Sequence, residues 1–187
     1  MTPAERPVPT RERLIRSALR LFQSRGYHDV GLSELLAAAD CPKGSLYHHF
    51  PGGKAALAAE VIEWLRLEMV TAFDTSRTRA VPARKQVEGL FSGTAAWVAG
   101  NGYAQGALLA VMAQELVPQD AALTRAIGQA YADARDAFAR ALEAGGADGA
   151  LAGPVLALLD GSVAQARASL STGPILAALA VALRLVG

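Results

Sequence analysis

The stretch KGSLYHHFPGGKAAL, residues 43–57, decides the fold of this 187-residue chain. Its first part, Lys43 to Phe50, is predicted to be a short helix, because Leu46 and Phe50 lie four residues apart and share one face. The remaining positions are small, polar or basic, and the Pro-Gly-Gly at 51–53 ends the helix. The segment therefore predicts an amphipathic helix that holds itself in place by its apolar face and presents its other face to a polar partner.

Two more helices are predicted before this segment. In the first, apolar residues recur at i, i+4, i+7 and i+8, namely Leu14, Ala18, Leu21 and Phe22. Thr10 is placed to cap this helix and Gly26 to stop it. A short helix from Ser33 to Ala39 follows, and then a tight break at residues 40–42, whose Pro42 suits the first turn of the next helix. Three helices in this order, with the last two joined by a tight turn, form a helix-turn-helix unit.

The rest of the chain also has helical periodicity. A long helix of roughly 30 Å is predicted from apolar residues spaced between Leu57 and Phe73. Further helices are predicted at 84–99, 106–116, 120–144, 152–171 and 174–186. No segment alternates for long enough to predict a sheet. We therefore predict an all-α protein with a helix-turn-helix DNA-binding domain at residues 1–54 and a helical body at residues 55–187.

Composition and charge favour a globular protein with a basic head. Hydrophobic residues make up 52% of the chain, enough for a sizeable core. Residues 1–54 hold eight basic and five acidic residues, whereas the remainder holds ten basic and twelve acidic ones, so that the head is the part suited to a polyanion. The most apolar run, Ile175 to Val186, is well short of the ~20 residues of a membrane span, and the first ten residues are polar and Pro-rich, unlike a signal peptide. One cysteine excludes an intramolecular disulfide. A cytoplasmic location without a membrane partner is expected.

The segment from Arg11 to Leu57, with its LRLFQSRGY and KGSLYHHFPGGKAAL motifs, resembles the DNA-binding domain of the TetR family of bacterial regulators. The PGGK motif and the later QGALLAVMAQEL, residues 105–116, resemble the LmrA/YxaF-like branch of that family. The resemblance implies that the positions of Lys43, Ser45, Tyr47, His48 and Lys54 contact DNA, and that Ser33 can do so too. It also implies that residues 55–187 form a helical ligand-binding and dimerisation domain. In that arrangement the protein is a homodimer, and an effector enters the body and tilts the long helix.

The residues themselves complete the predicted DNA-binding set. Gly44 lets the backbone approach DNA closely, and Lys54 is placed to meet a phosphate. His49 is left on the outer face of its helix. Arg11 is the member of the basic stripe at 11–25 expected to touch DNA, while the rest of that stripe is interpreted as a solvated face.

Three positions depart from the family pattern. Val30-Gly31 replaces a usual pair of threonines, which leaves Ser33 as the nearby hydroxyl. Asp40 replaces a turn glycine, a change that is tolerated because Asp adopts the left-handed backbone conformation more readily than most residues. Cys41 replaces an aliphatic residue and is interpreted as a small core side chain rather than a redox switch.

Two sets of these residues also allow other roles. Adjacent helical residues such as His48 and His49 point about 100° apart and do not converge on one ion, so we expect no metal site and no cofactor. The ring of Tyr47 is expected to pack on the scaffold and its hydroxyl to reach a phosphate.

In the body, aromatic and sulfur side chains are expected to surround a cavity for a small apolar or aromatic effector. The predicted lining is Phe91, Trp97, Tyr103 and Met112, with Gln114, Gln165 and Arg167 as polar groups that orient the ligand. The alternative is that the apolar residues are ordinary core and the polar ones rim or interface residues.

The expected function is that of a ligand-responsive repressor that binds a near-palindromic operator as a dimer. The dimer is expected to form through the last two helices, because Ile175 to Val186 is apolar nearly all round with Arg184 as its only charge. Two rivals remain at this point: an all-α enzyme that uses the body cavity, and a helical interaction protein whose head does not bind DNA. No nucleophile–base set, phosphate loop or metal-ligand spacing supports an enzyme.

Overall fold

The structure, a computed structural model, describes residues 8–187, which form nine α-helices and one 3-10 turn and contain no strand. This confirms the predicted all-α fold. The elements are α1 (Thr10–Arg25), α2 (Leu32–Ala38), α3 (Lys43–His49), α4 (Gly53–Thr78), α5 (Ala83–Gly100), α6 (Leu108–Leu116), α7 (Ala121–Ala144), the 3-10 turn Gly149–Leu151, α8 (Ala152–Ser169) and α9 (Gly173–Leu185).

The predicted helix ends need small corrections. Thr10 is the first residue of α1 rather than its cap, since Pro9 holds the cap position and no side chain caps this end. Pro42 likewise precedes α3 instead of lying in its first turn. The stop at Gly26 is confirmed by its φ of 82° and by its N–H, which donates to the Phe22 carbonyl at 2.9 Å. Helix α8 ends at Ser169 because Leu170 adopts a left-handed conformation.

The long helix α4 is longer than expected. Its 26 residues correspond to about 39 Å at 1.5 Å per residue. It runs from the end of the helix-turn-helix unit into the body, where it lies along α7. The buried face of α7 carries several alanines, including Ala130, Ala134, Ala137 and Ala141, and these small side chains let the two helices pack closely.

Two clusters of buried apolar residues hold the molecule together. The first core joins α1, α2, α3 and the start of α4 to α6 and the first half of α7, through residues such as Phe22, Leu46 and Met112. The second core joins α5, the end of α7, α8 and α9 around Phe91 and Phe138. The first core thus extends past residue 54, so the helix-turn-helix unit rests on α6 and α7. The boundary at residues 54 and 55 stays a prediction.

One stretch, Gly149–Ser169, is long and apolar enough to cross a membrane by length and composition alone. It includes α8, whose Val155, Leu159 and Val163 side chains are buried in the second core. Apolar residues that pack on neighbouring helices in this way are typical of a core helix in a globular domain.

Candidate functional site

Helix α3 has the orientation that its pattern predicts. Leu46 and Phe50 are 0% and 2% exposed and anchor the helix in the first core. On the opposite side, Lys43, Gly44, Tyr47 and His48 are exposed and Ser45 is half-buried, and we call these five residues the α3 outer face. The Tyr47 side chain is 57% exposed, but its ring lies beside the start of α4, 3.6 Å from the position of a Cβ atom added at Gly53, so the expected packing of the ring is partial. His49 is half-buried, with its ring 4.9 Å from that of His48.

The turn between α2 and α3 is fixed by α1. Asp40 has a φ of 50°, the left-handed conformation expected where a turn glycine is replaced. The Arg13 guanidinium donates to the Asp40 carbonyl at 3.2 Å and to the Cys41 sulfur at 3.6 Å, and the buried Ser17 hydroxyl donates to the Ala38 carbonyl at 3.0 Å. These contacts, which the sequence does not reveal, tie the end of α2 and the turn to α1.

Gly44 lies in open space on the α3 outer face. A Cβ atom added there would meet nothing within 4 Å, so the packing of the chain itself does not require glycine at this position. The absence of a side chain leaves the backbone of α3 accessible to a partner that approaches closely.

Two of the predicted DNA contacts have partners within the chain. The Arg11 guanidinium donates to the Glu60 carboxylate at 2.5 Å and lies over the Phe50 ring. The Lys54 ammonium lies 4.3 Å from the centre of the Tyr27 ring and 3.5 Å from the His28 carbonyl oxygen. Burial lowers the pKa of Lys54, and the carboxylates of Glu115 and Asp29 partly offset this decrease. Ser33 is exposed at the start of α2.

The C-terminal end of α6 is hydrogen-bonded to the loop between α1 and α2. The Glu115 carboxylate accepts a hydrogen bond from the His28 backbone N–H at 2.8 Å. The same carboxylate lies so close to Gly26 that a Cβ atom there would overlap its oxygen. At the other end of α6, the Gly106 N–H donates to the Gln23 carbonyl at 2.8 Å. The body therefore contacts the helix-turn-helix unit through α6 as well as through α4.

A cavity of about 280 Å³ lies in the body between α4, α5, α6, α7 and α8. Its walls are mostly apolar, and one residue of α1 also reaches it. The lining is Gln23, Leu65, Met69, Phe73, Leu90, Thr94, Trp97, Ala107, Leu108, Leu109, Tyr131, Ala134, Leu156, Leu159, Asp160 and Val163. Trp97 is the one predicted cavity residue among them.

The other six predicted residues are not brought to this cavity. Phe91 and Met112 are fully buried in the second and first cores. Gln114 and Gln165 are exposed on the outer sides of their helices. The Arg167 guanidinium donates to the carbonyls of Tyr103 and Ala104, at 3.3 and 3.1 Å, and so fastens the loop between α5 and α6. Tyr103 itself packs against the second core.

The polar feature of the cavity is a pair that the sequence analysis missed. The Tyr131 hydroxyl of α7 donates to an Asp160 carboxylate oxygen of α8 at 3.0 Å. Burial raises the pKa of Asp160, and the hydrogen bond from Tyr131 lowers it in part. A sequence signal existed, because Asp160 is the only charged residue between Leu151 and Ala166. A lone carboxyl in an apolar helix marks a functional candidate.

The outer sides of α8 and α9 form an apolar surface. On α8 its residues are small, and Ala157, Gly161, Ala164 and Ala168 are all exposed. On α9, Leu176, Val181 and Leu185 are 50%, 38% and 44% exposed. We call these seven residues the α8–α9 face. Leu179 and Leu183, in contrast, are half-buried against the second core.

Fold and site together define a helix-turn-helix protein whose helical body contains an apolar cavity. The family model described as "Bacterial regulatory proteins, tetR family" matches residues 14–61. The one described as "Transcriptional regulator LmrA/YxaF-like, C-terminal domain" matches residues 83–181, more than half of the chain. The chain belongs to the TetR family of bacterial regulatory proteins, in its LmrA/YxaF-like branch. Membership in a family of transcriptional regulators agrees with the expectation that the chain is not an enzyme.

Individual relatives match over part of the chain. The chain is similar to the HTH-type transcriptional regulator LmrA of Bacillus subtilis, 46% identical over 57 residues that cover 30% of each chain. It is also similar to the regulator YxaF of Bacillus subtilis, 47% identical over 55 residues that cover 29% of each chain. The matched segment thus spans less than a third of these relatives' length.

Solved structures match over nearly the whole chain. The reduced form of Escherichia coli NemR has a TM-score of 0.81 and 25% identity, and the match covers 95% of this chain and 98% of that one. A TetR regulatory protein from Rhodobacter sphaeroides has a TM-score of 0.84 and 22% identity, covering 95% and 99%. At 22% identity, the likeness to the Rhodobacter sphaeroides protein shows a shared fold.

Proposed function

We propose that this protein is a DNA-binding transcriptional repressor that binds a near-palindromic operator as a homodimer and is released by a small effector. The observation that carries the proposal is the α3 outer face. It combines an ammonium, two hydroxyls, an imidazole and an uncovered backbone on a helix that Leu46 and Phe50 fix in place. A helix with such a surface fits the major groove, where side chains reach the edges of the bases.

The contacts fall into two groups by chemistry. Ser45 and Lys43, at the start of α3, are placed for base edges and neighbouring phosphates, and the exposed Tyr47 hydroxyl is placed for a phosphate. Arg11 and Lys54 are the proposed phosphate contacts that have partners within the chain. Each must give up or share a partner within the chain, Glu60 or the Tyr27 ring, before it can contact a phosphate.

The proposed dimer forms through the α8–α9 face. A surface of exposed Leu and Val side chains beside small residues suits close packing against two helices of a second copy. A Cβ atom added at Gly161 would meet nothing within 4 Å, so the chain itself leaves room there for a partner helix. Two-fold symmetry would present two α3 helices to two half-sites about 34–36 Å apart. The protein would meet its operator in the cytoplasm.

The proposed effector site is the body cavity. Its apolar walls and volume suit a small, largely apolar or aromatic compound. The cavity includes Gln23 of α1, whose backbone carbonyl also accepts the hydrogen bond from Gly106. A ligand can therefore affect the helix-turn-helix unit through α1 and α6 as well as through α4. It releases DNA only if it binds the DNA-incompetent arrangement more tightly.

Selection of bound sequences from random duplexes by the purified protein tests this function. We expect enriched inverted repeats, and a Ser45→Ala variant with changed base preference, by about 1–3 kcal/mol for a good base contact. Ser92→Ala, an exposed serine of α5 far from α3, is the matched control. Failure to enrich any sequence, or equal effects of the two serine variants, would contradict the proposal.

A further inference from the structure

The Asp160 carboxylate in the body cavity has fewer partners than a buried charge needs. A carboxylate offers about four acceptor positions on its two oxygens, yet the Tyr131 hydroxyl is the one donor that contacts it among the described residues. The side chain is half-buried beside the apolar walls between α7 and α8, where a carboxylate without a cation is costly. Asp160 therefore retains capacity to bind a further donor.

The cavity has no positive side chain to neutralise this carboxylate. The residues that line the cavity all belong to the described part of the chain, residues 8–187. None of them is Lys, Arg or His, and Asp160 is the single carboxyl among them. The neutral polar residues, Gln23 and Thr94, add no charge, and the Thr94 hydroxyl already donates to the Leu90 carbonyl. A positive charge near Asp160 must therefore come from a ligand.

The walls around Asp160 suit the rest of such a ligand. Trp97, Phe73 and Tyr131 supply aromatic rings, and ring faces attract cations as well as apolar groups. Leu65 and Met69 supply aliphatic surface. A compound with one cationic group and an apolar body would satisfy the carboxylate and fill the cavity.

We propose that the effector is a lipophilic amine, whose ammonium group pairs with the Asp160 carboxylate while its apolar part contacts the aromatic walls of the cavity. This inference rests on the proposed function, because it assigns a chemical class to the effector of that function. Asp160 is then the residue that selects for charge, and the aromatic walls select for size and apolarity.

The test compares three probes of one shape and different charge. Naphthylmethylamine is cationic, naphthylmethanol is a neutral donor and naphthylacetate is an anion, and each is titrated into the full-length protein by calorimetry. We expect the amine to bind at least about tenfold more tightly than the alcohol, a difference equivalent to 1.36 kcal/mol or more. The acid is expected to bind most weakly.

The Asp160→Asn variant should bind amine and alcohol about equally. The control Asp136→Asn, at an exposed position of the same α7–α8 region, should keep the preference for the amine.

A second measurement needs no variant. Tyr131 is the only other titratable group lining the cavity, so the amine preference of the wild-type protein should disappear once acid protonates Asp160.

The outcomes separate this inference from the proposed function. If the alcohol or the acid binds as tightly as the amine, or if the amine preference survives in Asp160→Asn and at acid pH, the amine assignment is wrong while the cavity remains a ligand site. If none of the three probes binds, the amine assignment is overturned. Selection of DNA sequences by the protein then still decides the proposed function of the head.

Discussion

Leu46 and Tyr47 are neighbours on α3 that should respond in opposite ways to the same substitution. The Leu46 side chain is fully buried in the first core, whereas the Tyr47 side chain is 57% exposed. Leu46→Ala removes buried apolar contacts and leaves a cavity, which costs about 2–5 kcal/mol. Tyr47→Ala removes an exposed ring, so the free energy of unfolding should change by no more than about 0.5 kcal/mol.

Tyr47→Ala should weaken DNA binding without lowering stability. Loss of a hydrogen bond from its hydroxyl to a charged phosphate would cost about 1.5–3 kcal/mol, or at least about tenfold in affinity. Guanidinium unfolding with an unchanged slope measures the first effect, and fluorescence anisotropy with a selected duplex measures the second. If the Leu46→Ala protein is still folded, it should bind DNA more weakly, because α3 has lost a side chain that anchors it.

This reasoning is refuted if the two substitutions exchange their effects on stability, or if neither affects DNA binding. If Tyr47→Ala unfolds at much lower denaturant while Leu46→Ala does not, α3 is rotated about its axis relative to the structure. If neither variant changes DNA affinity, α3 is not the DNA-contacting helix. Either outcome would remove the basis for the α3 outer face.

Three further predictions address the dimer, the body and the cavity. Val181→Arg places a charge on the α8–α9 face and should give monomers in sedimentation. The control Ser92→Arg, on the exposed side of α5, should remain dimeric. A dimeric Val181→Arg protein would argue against this interface. Gln86→Leu should lower the free energy of unfolding by about 1–3 kcal/mol, because the Gln86 amide donates to the carbonyls of Val81 and Ala141, both at 2.7 Å. Burial raises the pKa of Asp160, so at pH values just above 3.8 its folded side chain keeps a proton that the unfolded chain has lost, and the contribution of Asp160 to stability should decline as pH rises through that window. Unfolding curves should show a smaller decline for Asp160→Asn, and an identical decline would mean that Asp160 titrates normally.

Helical periodicity was enough to predict the fold. The spacing of Leu14, Ala18 and Phe22 places them on one buried face, and Leu46 and Phe50 likewise share the inward face of α3. Chain breaks at glycine and proline located most helix ends within a few residues. The caps were less predictable, since Thr10 begins α1 without capping it.

The cavity could not be predicted from the same patterns. Phe91 and Trp97 lie on one helix six residues apart, and at about 100° per residue they point to different sides of it. Only the packing of α5 between its neighbours decides that Trp97 faces the cavity and Phe91 the second core. Periodicity shows which residues share a face but not what that face meets.

Polar residues were harder to assign for a related reason. Arg167 was expected to orient a ligand, yet it binds two backbone carbonyls of the loop that follows α5. Lys54, whose expected contact with a phosphate stays a prediction, also lies over the Tyr27 ring. Partners of this kind come from distant parts of the chain and have no local sequence signal.

The salt dependence of DNA affinity tests the central claim most directly. Affinity of the wild-type protein for a selected inverted repeat should fall steeply as salt rises, because ammonium and guanidinium groups displace counterions from phosphates. Lys43→Gln, on the α3 outer face, should reduce the slope by about one for each head. Lys85→Gln, an exposed lysine of α5, should leave the slope unchanged. Equal slopes for all three proteins, or an affinity that does not depend on salt, would contradict DNA binding through α3.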